Sequence, residues 1–295
     1  MPVSVLILTL NEETNLPRLL ESVRGWSHDI VVLDSGSTDR TVEIASSCGA
    51  RVFSRRWEAG KEHEHRNYAL HEIPYQNEWI YIADADESLT DELKREINET
   101  ISDHPMHVGY WVRYKNIYNG KWIKHSSLYP TWVLRLVKPR EVSYPPRGIN
   151  MHALPASGTT GRLNSHFLHF SFHKGISHWI WKHNEYSSAE AAETIAQLSN
   201  GAMPWRDLLS GDSVRRRKAL KLLSFRMPFR PLLKFTYMYV IRRGFLDGAA
   251  GFSYCLLQSF YEYMIVLKTH ELKSAPDKTQ MMLIGNLRDV REDVS

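Results

Sequence analysis

The stretch NEWIYIADADESLTDEL, residues 77–93, contains the strongest single signal in the sequence. Residues 79–83 form an apolar run of the length expected for a buried strand. The run ends at Asp84, Asp86 follows two residues later, and Glu87 comes next. Two carboxylates spaced in this way beside a strand end can hold Mg²⁺ or Mn²⁺, with substrate phosphates completing the shell. The alternative is a solvated turn before the next helix, and we assign Glu87 to that helix start, where its charge is favourable.

Strand-like and helix-like segments alternate along the first hundred residues around this stretch. Continuous apolar runs of strand length are each followed by a segment with apolar residues at helical spacing. The predicted strands cover residues 3–10, 29–34, 50–55 and 78–86. This alternation predicts an α/β fold with a mainly parallel sheet that is covered on both faces. Ligands bind at the carboxyl ends of strands in such sheets, and three of these ends carry acid-rich polar segments.

The segment VVLDSGSTDRT, residues 31–41, is the second of these junctions. Its strand ends at Asp34, Gly36 allows a tight turn, and Ser37 or Thr38 is predicted to cap the next helix. This arrangement suits hydrogen bonding to a nucleoside or ribose. The segment lacks both the G-x-G-x-x-G pattern of dinucleotide-binding folds and the G-x-x-x-x-G-K-[ST] pattern of P-loop proteins.

Composition narrows the class of protein without identifying it. The chain has 295 residues, a formal net charge of +4 and two cysteines, which give no disulfide framework or metal-binding spacing. The apolar run at residues 3–10 has no basic region before it and is followed by Asn11, Glu12 and Glu13, so we interpret it as a buried strand rather than a signal peptide. We therefore expect a cytoplasmic protein.

The sequence changes character after about residue 105. Residues 107–144 are rich in aromatic and β-branched side chains, which predicts further strands and loops of the sheet. From residue 173 onward the pattern is helical, so we divide the chain into a catalytic domain, 1–174, and a helical region, 175–295.

Part of the helical region has the composition of a membrane-interface segment. Ten lysines and arginines and no acid lie between Arg215 and Arg243, interleaved with aromatic and aliphatic residues. Such segments are attracted to anionic lipid. Residues 244–267 approach the length needed to span a bilayer, but Asp247 and Glu262 interrupt them, so we expect a shallow or re-entrant hairpin there.

Five histidines occur close together in the segment HFLHFSFHKGISHWIWKH. The H-E-x-x-H pattern of zinc proteases is absent, and no cysteine accompanies them. We expect one of them, His169, to contact a metal ion or a phosphate, and the others to lie at surfaces. The five positions are His166, His169, His173, His178 and His183.

Four segments in order resemble the opening motifs of family 2 glycosyltransferases, which have the Rossmann-like GT-A fold. They are VSVLILTLNEETNLPRLLESV, DIVVLDSGSTDRTVEIA, GKEHEHRNYAL and WIYIADADE. The helical tail, with HNEYSSAEAAE and RRGFLDGAAGFSYC, is similar to a bacterial branch that builds lipopolysaccharide core and exopolysaccharide. The resemblance implies a nucleotide-sugar donor, a lipid-linked or lipopolysaccharide acceptor, and Mg²⁺ or Mn²⁺ as cofactor.

The resemblance also implies roles for individual residues. Asp86 coordinates the metal, with Asp84 and His169 as further candidate ligands. The implied nucleotide-binding residues are Thr9, Asn11, Glu12, Asp34, Lys61, Arg66, Asn67 and Asp84. Inverting enzymes of this family need a general base to deprotonate the acceptor hydroxyl. His152 is the first candidate because an imidazole titrates near neutral pH, and Glu141 is the nearest upstream carboxylate.

Three other functions are weighed against this hypothesis. A nucleotidyltransferase also pairs carboxylates with a metal, but it needs a glycine-rich basic loop where this chain has TLNEETN. A nucleic-acid-binding protein could use the basic tail, but no recognised module appears, and we expect no nucleic acid partner. A lipid-binding relative with a degenerate site is supported only by Ala153, which follows His152 where a carboxylate is expected. We favour a peripheral enzyme on the cytoplasmic face of a bacterial inner membrane.

Overall fold

The structure is a computed structural model that describes residues 3–56, 58, 61–103, 105–145, 153–199, 208–225, 227 and 229–274. The described chain forms two compact units. The first consists of residues 1–124 and 128–176, and the second of residues 125–127 and 177–295. The sequence predicted a catalytic domain, 1–174, and a helical region, 175–295. The assignment of separate functions to these two regions stays a prediction.

Strands of the first unit form a large, mostly parallel sheet. Among the described residues it contains nine strands in the order β3-β2-β1-β4-β8-β6-β11-β5, with β7 paired to β6. Strand β8 is antiparallel to both of its neighbours. The strands are β1 Val3–Thr9, β2 Asp29–Asp34, β3 Arg51–Ser54, β4 Trp79–Asp84, β5 Glu87–Leu89, β6 Gly109–Tyr118, β7 Lys121–Trp122, β8 Thr131–Val137 and β11 Thr160–His169. A separate two-stranded ribbon pairs β9 Val142–Ser143 with β10 Leu154–Pro155.

Helices cover both faces of this sheet, as the continuous apolar strands require. They are α1 Leu16–Val23, α2 Thr41–Ser47, α3 Glu62–His71 and α4 Asp91–Ser102. Alternate residues of β1 enter opposite cores, with Val5 and Ile7 in one cluster and Leu6 in the other. Helix α1 packs Leu16, Leu19, Leu20 and Val23 into the first cluster. This two-sided packing holds the strand ends of the first unit in a rigid row.

Two predictions about helix starts are wrong. Helix α2 begins at Thr41 with Arg40 at the N-cap position, so Ser37 and Thr38 do not cap it. Glu87 does not lie at a helix start either, because it belongs to β5 and its side chain is 2% exposed. Thr90 instead caps α4, and its hydroxyl accepts a hydrogen bond from the Leu93 amide. Ser37, Thr38 and Glu87 therefore do not serve as helix-start residues, and all three take part in the site described below.

The second unit is helical. Its helices are α5 Gly175–Ser199, α6 Ser213–Ser224, α7 Arg230–Thr236 and α8 Gly248–Ser274. A π-helical turn covers Tyr237–Ile241, and a 3₁₀ turn covers Gly244–Asp247. The carboxylate of Asp247 accepts hydrogen bonds from the backbone amides of His125 and Ser126 and from the Ser126 hydroxyl.

The prediction of a re-entrant hairpin at residues 244–267 is wrong. After the 3₁₀ turn, α8 continues without a break for 27 residues. Within the described part of the chain, no helix combines the length and the hydrophobicity needed to cross a membrane.

Candidate active site

Parallel pairing brings the ends of three strands to one level at the carboxyl edge of the sheet. Thr9 of β1 lies opposite Asp34 of β2, and Leu8 of β1 lies opposite Asp84 of β4. Three acid-rich segments predicted separately from the sequence are therefore neighbours. Strand β11 ends at the same group of residues, because its last residue, His169, pairs with Glu87 of β5.

Asp34 organises the loop after β2 rather than pointing freely outward. Its side chain is buried, and Thr9 Oγ1 donates to its Oδ1 over 3.0 Å. The Ser37 hydroxyl donates to the same oxygen over 2.5 Å, while the amides of Gly36 and Ser37 donate to Oδ2 over 3.0 and 2.8 Å. Four donors therefore hold this carboxylate, and the loop takes its shape around it. The predicted contact of Asp34 with a nucleotide stays a prediction.

The loop after β1 is fastened to the loop after β2. Asn11, with φ of 54°, accepts a hydrogen bond from the Thr38 amide at its Oδ1 over 2.8 Å and donates its own amide to Ser37 Oγ. Glu12 Oε1 pairs with Lys174 Nζ over 2.7 Å, and the same ammonium donates to the Asn11 carbonyl over 2.6 Å. Lys174 thus ties the segment after β11 to the loop after β1. Neither the sequence pattern nor the resemblance pointed to this lysine.

A buried arginine holds the acidic turn after β4. Arg135 of β8 contacts both Asp84 and Glu87 with its guanidinium, and its side chain is 9% exposed. The guanidinium also lies 5.6 Å from the centre of the Phe167 ring. Burial opposes ionisation of Asp84, but the combined effects of Arg135, Arg66 and His169 outweigh it and hold the pKa of that carboxyl below its usual range. Burial raises the pKa of Glu87, against the opposing effect of Arg135.

Asp86 and His169 face each other at this edge. His169 Nε2 lies 3.3 Å from Asp86 Oδ2, and the other ring nitrogen, Nδ1, is 2.8 Å from Asn116 Oδ1. Because an amide oxygen only accepts, Nδ1 carries the hydrogen and Nε2 is turned toward Asp86. Burial disfavours the imidazolium, but the carboxyl groups of Asp86, Glu87 and Asp84 together outweigh it and raise the pKa of His169.

These two residues fit the predicted divalent cation as a partial ligand set. A carboxylate oxygen and an oriented imidazole nitrogen are ligands suited to Mn²⁺, and substrate phosphates can fill the remaining positions. Within the described ranges, no group of three His, Cys, Asp or Glu side chains is placed to hold a metal ion. The Asp84 carboxylate is in contact with Arg135 instead. The metal ligands therefore stay a prediction, with Asp86 and His169 as its strongest members.

Helix α3 approaches the site with its N-terminal half. Arg66 lies 5.3 Å from the centre of the Tyr144 ring. Its charge helps to lower the pKa of Asp84, although burial, which raises that pKa, and Arg135, which lowers it, have larger effects. The side chain of Asn67 hydrogen-bonds to the backbone of Tyr144. Its Nδ2 donates to the Tyr144 carbonyl over 2.9 Å, and its Oδ1 accepts from the Tyr144 amide over 2.7 Å. Lys61 pairs with Glu58 over 2.8 Å at the helix start. Asn67 thus anchors the segment beyond β9, a role that sequence reasoning missed.

His65, also missed by sequence reasoning, lies beside the loop after β2. Its side chain is buried, Nε2 is 3.1 Å from the Ser35 hydroxyl, and Nδ1 has no hydrogen-bond partner among the described residues. Burial and the nearby charges of Arg55 and Arg66 lower the pKa of this histidine. The segment GKEHEHRNYAL contains this histidine directly before Arg66, and its place in that motif is the signal that could have pointed to it.

The structure places Glu141, one of the two predicted general bases, after the end of β8, which pairs with the start of β4, and its role as a base stays a prediction. Lys138, three residues before Glu141, pairs with Glu78 over 2.7 Å at the amino end of β4, whereas Asp84 ends that strand. Five residue steps of about 3.3 Å separate the two ends, about 17 Å in all. Glu141 there accepts a hydrogen bond from the Ser157 hydroxyl over 2.6 Å. His152, the other predicted base, lies outside the described residues.

Comparison with known proteins identifies the family. The model of the family described as Glycosyl transferase family 2 matches residues 4–162, more than half of the chain. The protein belongs to this family, and family membership confirms the predicted class of enzyme, a glycosyltransferase with an α/β fold. The nucleotidyltransferase and nucleic-acid-binding alternatives are thereby set aside.

The individual relatives have low sequence identity to this chain. An uncharacterized glycosyltransferase of Rickettsia typhi is 25% identical over 274 residues, covering 92% of this chain and 87% of the relative. The lipopolysaccharide core biosynthesis glycosyltransferase LpsC of Rhizobium meliloti is 24% identical over 288 residues, covering 94% and 96%. The crystal structure of S. aureus TarS is similar with a TM-score of 0.45 at 13% identity, covering 94% of this chain and 92% of that one.

Proposed function

We propose that the protein is a metal-dependent inverting glycosyltransferase of bacterial surface polysaccharide biosynthesis. It would move a sugar from a nucleotide-sugar donor, with UDP as the favoured nucleotide, to a lipid-linked glycan or lipopolysaccharide acceptor. The observation that carries the proposal is the Asp86–His169 pair beside the interlocked loops after β1 and β2. The Rhizobium meliloti relative, named for lipopolysaccharide core biosynthesis, supports this choice of acceptor.

Roles follow from the positions of the described residues. Asp86 Oδ2 and His169 Nε2 would hold Mg²⁺ or Mn²⁺, which supplies neutralisation of the charge on a departing diphosphate. Asn116 keeps the His169 ring oriented through its contact with Nδ1. Arg66 is the described cation of α3 whose charge reaches Asp84, so we place it toward the diphosphate. Thr9, Asn11, Glu12, Asp34 and Lys61 would shape or line the nucleotide pocket.

The proton of the acceptor hydroxyl must leave as the new glycosidic bond forms on the face opposite the diphosphate. A general base within hydrogen-bond reach of that hydroxyl accepts it. Of the two predicted bases, we keep His152 as the first candidate, because Glu141 follows β8, whose end pairs with the start of β4. The predicted location, the cytoplasmic face of the bacterial inner membrane, would bring the enzyme to a lipid-linked acceptor.

Calorimetric titration of UDP in the presence and absence of Mn²⁺ tests the proposal. We expect binding that depends on Mn²⁺ and disappears in Asp86→Ala, because one of the two protein ligands is removed. Asp91→Ala is the matched control, since this carboxylate at the start of α4 is 86% exposed and pairs with Lys94. The control should bind UDP like the wild type. Absence of nucleotide binding by the wild-type protein at every metal condition would contradict the proposal.

A further inference from the structure

Helix α8 exposes apolar side chains along its outer side and buries two polar side chains on its inner side. An outer stripe of five side chains at helical spacing is apolar or aromatic, and each is between 45% and 52% exposed. The outer stripe consists of Phe252, Leu256, Phe260, Tyr263 and Leu267. On the inner side, Glu262 and Thr269 are buried together with Cys255 and Ile265. A surface helix normally directs its apolar residues inward and its polar residues outward.

The apolar surface continues beyond this helix in the same unit. The ring of Phe252 lies 5.9 Å from that of Phe235 and 5.6 Å from that of Tyr239, which in turn lies 6.3 Å from Phe245. The outer stripe therefore adjoins α7, the π-helical turn and the 3₁₀ turn. These elements expose further large apolar side chains: Phe229, Leu232, Val240, Ile241, Phe245 and Leu246. We call these six residues and the outer stripe the apolar face.

The interior of this unit contains an ion pair, although its exterior exposes many apolar side chains. Arg230 forms an ion pair with Glu262, and the two side chains are 16% and 10% exposed. Extended apolar patches are rare on monomeric soluble proteins and mark protein–protein or membrane contacts. The eleven side chains of the apolar face are exposed to this extent among the described residues, so we infer that another apolar phase covers them.

The positive charge of this unit indicates which kind of apolar phase covers the apolar face. Residues 215–243 contain ten lysines and arginines and no acid. Arg230 is paired with Glu262 and Arg215 lies 3.6 Å from Asp212, while Arg215, Arg216 and Arg243 are exposed. A second copy of this chain seated on the apolar face would bring a second set of the same cations to the interface, and like charges repel. Anionic lipid headgroups carry the complementary charge and adjoin an apolar layer. Both features of the unit therefore match the surface of an anionic bilayer.

We propose that the apolar face docks in the plane of an anionic bilayer, with α8 lying along the surface. The outer stripe enters the boundary between headgroups and acyl chains, and the cations contact the lipid phosphates. No helix among the described ranges meets the requirements for a span, which agrees with an in-plane position. This inference deepens the acceptor side of the proposed function, but its test does not use donor binding or catalysis.

Vesicle flotation of the full-length protein provides the test. The vesicles contain either phosphatidylcholine alone or phosphatidylcholine mixed with phosphatidylglycerol. We expect binding to the mixed vesicles and little to the neutral ones. Leu256→Asp with Phe260→Asp should abolish binding, because two charges enter the centre of the apolar face. Met106→Asp is the control, since this residue of the first unit is 93% exposed and lies outside the face.

A second variant separates charge from apolar contact. Each cation near an anionic surface contributes about 1 kcal/mol, so Arg216→Gln with Arg243→Gln should weaken the partition onto mixed vesicles roughly 30-fold. Circular dichroism and the Tm establish that each variant is folded. Because Arg216 and Arg243 are exposed, their replacement should leave the fold intact. This variant therefore still tests the inference if the double aspartate variant does not fold.

Three results would overturn the inference. The first is wild-type protein that does not float with mixed vesicles. The second is folded Leu256→Asp/Phe260→Asp protein that floats like the wild type. The third is a concentration-dependent dimer, measured by light scattering, that the aspartates dissociate while vesicles bind nothing. Loss of UDP binding in Asp86→Ala leaves flotation unchanged, so failure of this inference and failure of the proposed function are distinguishable.

Discussion

Replacing Arg135 tests the central electrostatic feature of the site. Arg135→Gln keeps a polar side chain but removes the cation that contacts Asp84 and Glu87. Breaking a buried ion pair from one side costs about 3–5 kcal/mol of unfolding free energy. We expect about 3 kcal/mol, the lower end of that range, because the Asp84 side chain is 39% exposed and water can replace the guanidinium there.

The size of this loss should depend on pH. Although burial opposes ionisation, Arg135, with smaller contributions from Arg66 and His169, holds the pKa of Asp84 below its ordinary value of 3.8. A carboxyl with a lowered folded-state pKa stabilises the fold above its unfolded pKa, and the stabilisation disappears as the pH falls through the folded value. The difference between wild type and Arg135→Gln should therefore be largest near neutral pH and shrink below about pH 4.

Urea unfolding monitored by circular dichroism measures these differences. Adding Glu87→Gln to Arg135→Gln should recover part of the lost stability, because the buried carboxyl group, whose pKa burial raises to about 8, no longer lacks its hydrogen-bond partner. Arg40→Gln is the control, since its pair with Glu43 is exposed on both sides, and its unfolding curve should match that of the wild type. The reasoning fails if Arg135→Gln unfolds like the wild type at neutral pH, or if Glu87→Gln recovers nothing.

Three further changes probe other parts of the chain. Gly251→Ala should lower the free energy of unfolding by about 1–3 kcal/mol, because a Cβ there would lie 2.3 Å from the Gly244 carbonyl oxygen. Asn67→Ala should lower it by about 2 kcal/mol, since two backbone groups of buried Tyr144 lose their partners. Burial lowers the pKa of His183 to about 4. Between pH 6.5 and about pH 4 only the unfolded chain takes up a proton at this histidine, so the wild type should lose stability as the pH falls through this range. His183→Phe should lose less stability over the same range.

Each of these expectations is checked by urea unfolding. Gly211→Ala is the control for Gly251→Ala, because no atom lies within 4 Å of a Cβ at that position. Unchanged stability of Gly251→Ala would contradict the close approach at that glycine. An Asn67→Ala protein that unfolds normally but binds UDP poorly would assign Asn67 to the nucleotide instead of the backbone. Equal pH dependence in wild type and His183→Phe would show that His183 stays protonatable in the folded protein.

Sequence patterns predicted the first unit well where a single physical preference controls the outcome. The apolar runs at β1, β2 and β4 became buried parallel strands, because such runs are stable only between two covered faces. Asp34 and Asp84 were therefore placed correctly at the carboxyl edge from their positions in the chain alone.

Prediction failed where polar residues had several partners available. Ser37 and Thr38 were expected to cap α2 but bond Asn11 in the loop after β1, and α2 begins only at Thr41. Glu141 was chosen for its position in the chain, and only the antiparallel direction of β8 shows that it follows the strand end that pairs with the start of β4.

The sequence by itself determined the alternation of strands and helices, the row of acids at the strand ends and the basic, aromatic character of residues 215–243. These features depend on local periodicity and composition, which each segment carries within itself. Only the tertiary structure decided that Arg135 neutralises the acidic turn, that Asn116 orients His169, and that α8 turns its apolar stripe outward. These contacts join residues tens of positions apart, or depend on which side of a helix is buried, and neither is contained in any single stretch of chain.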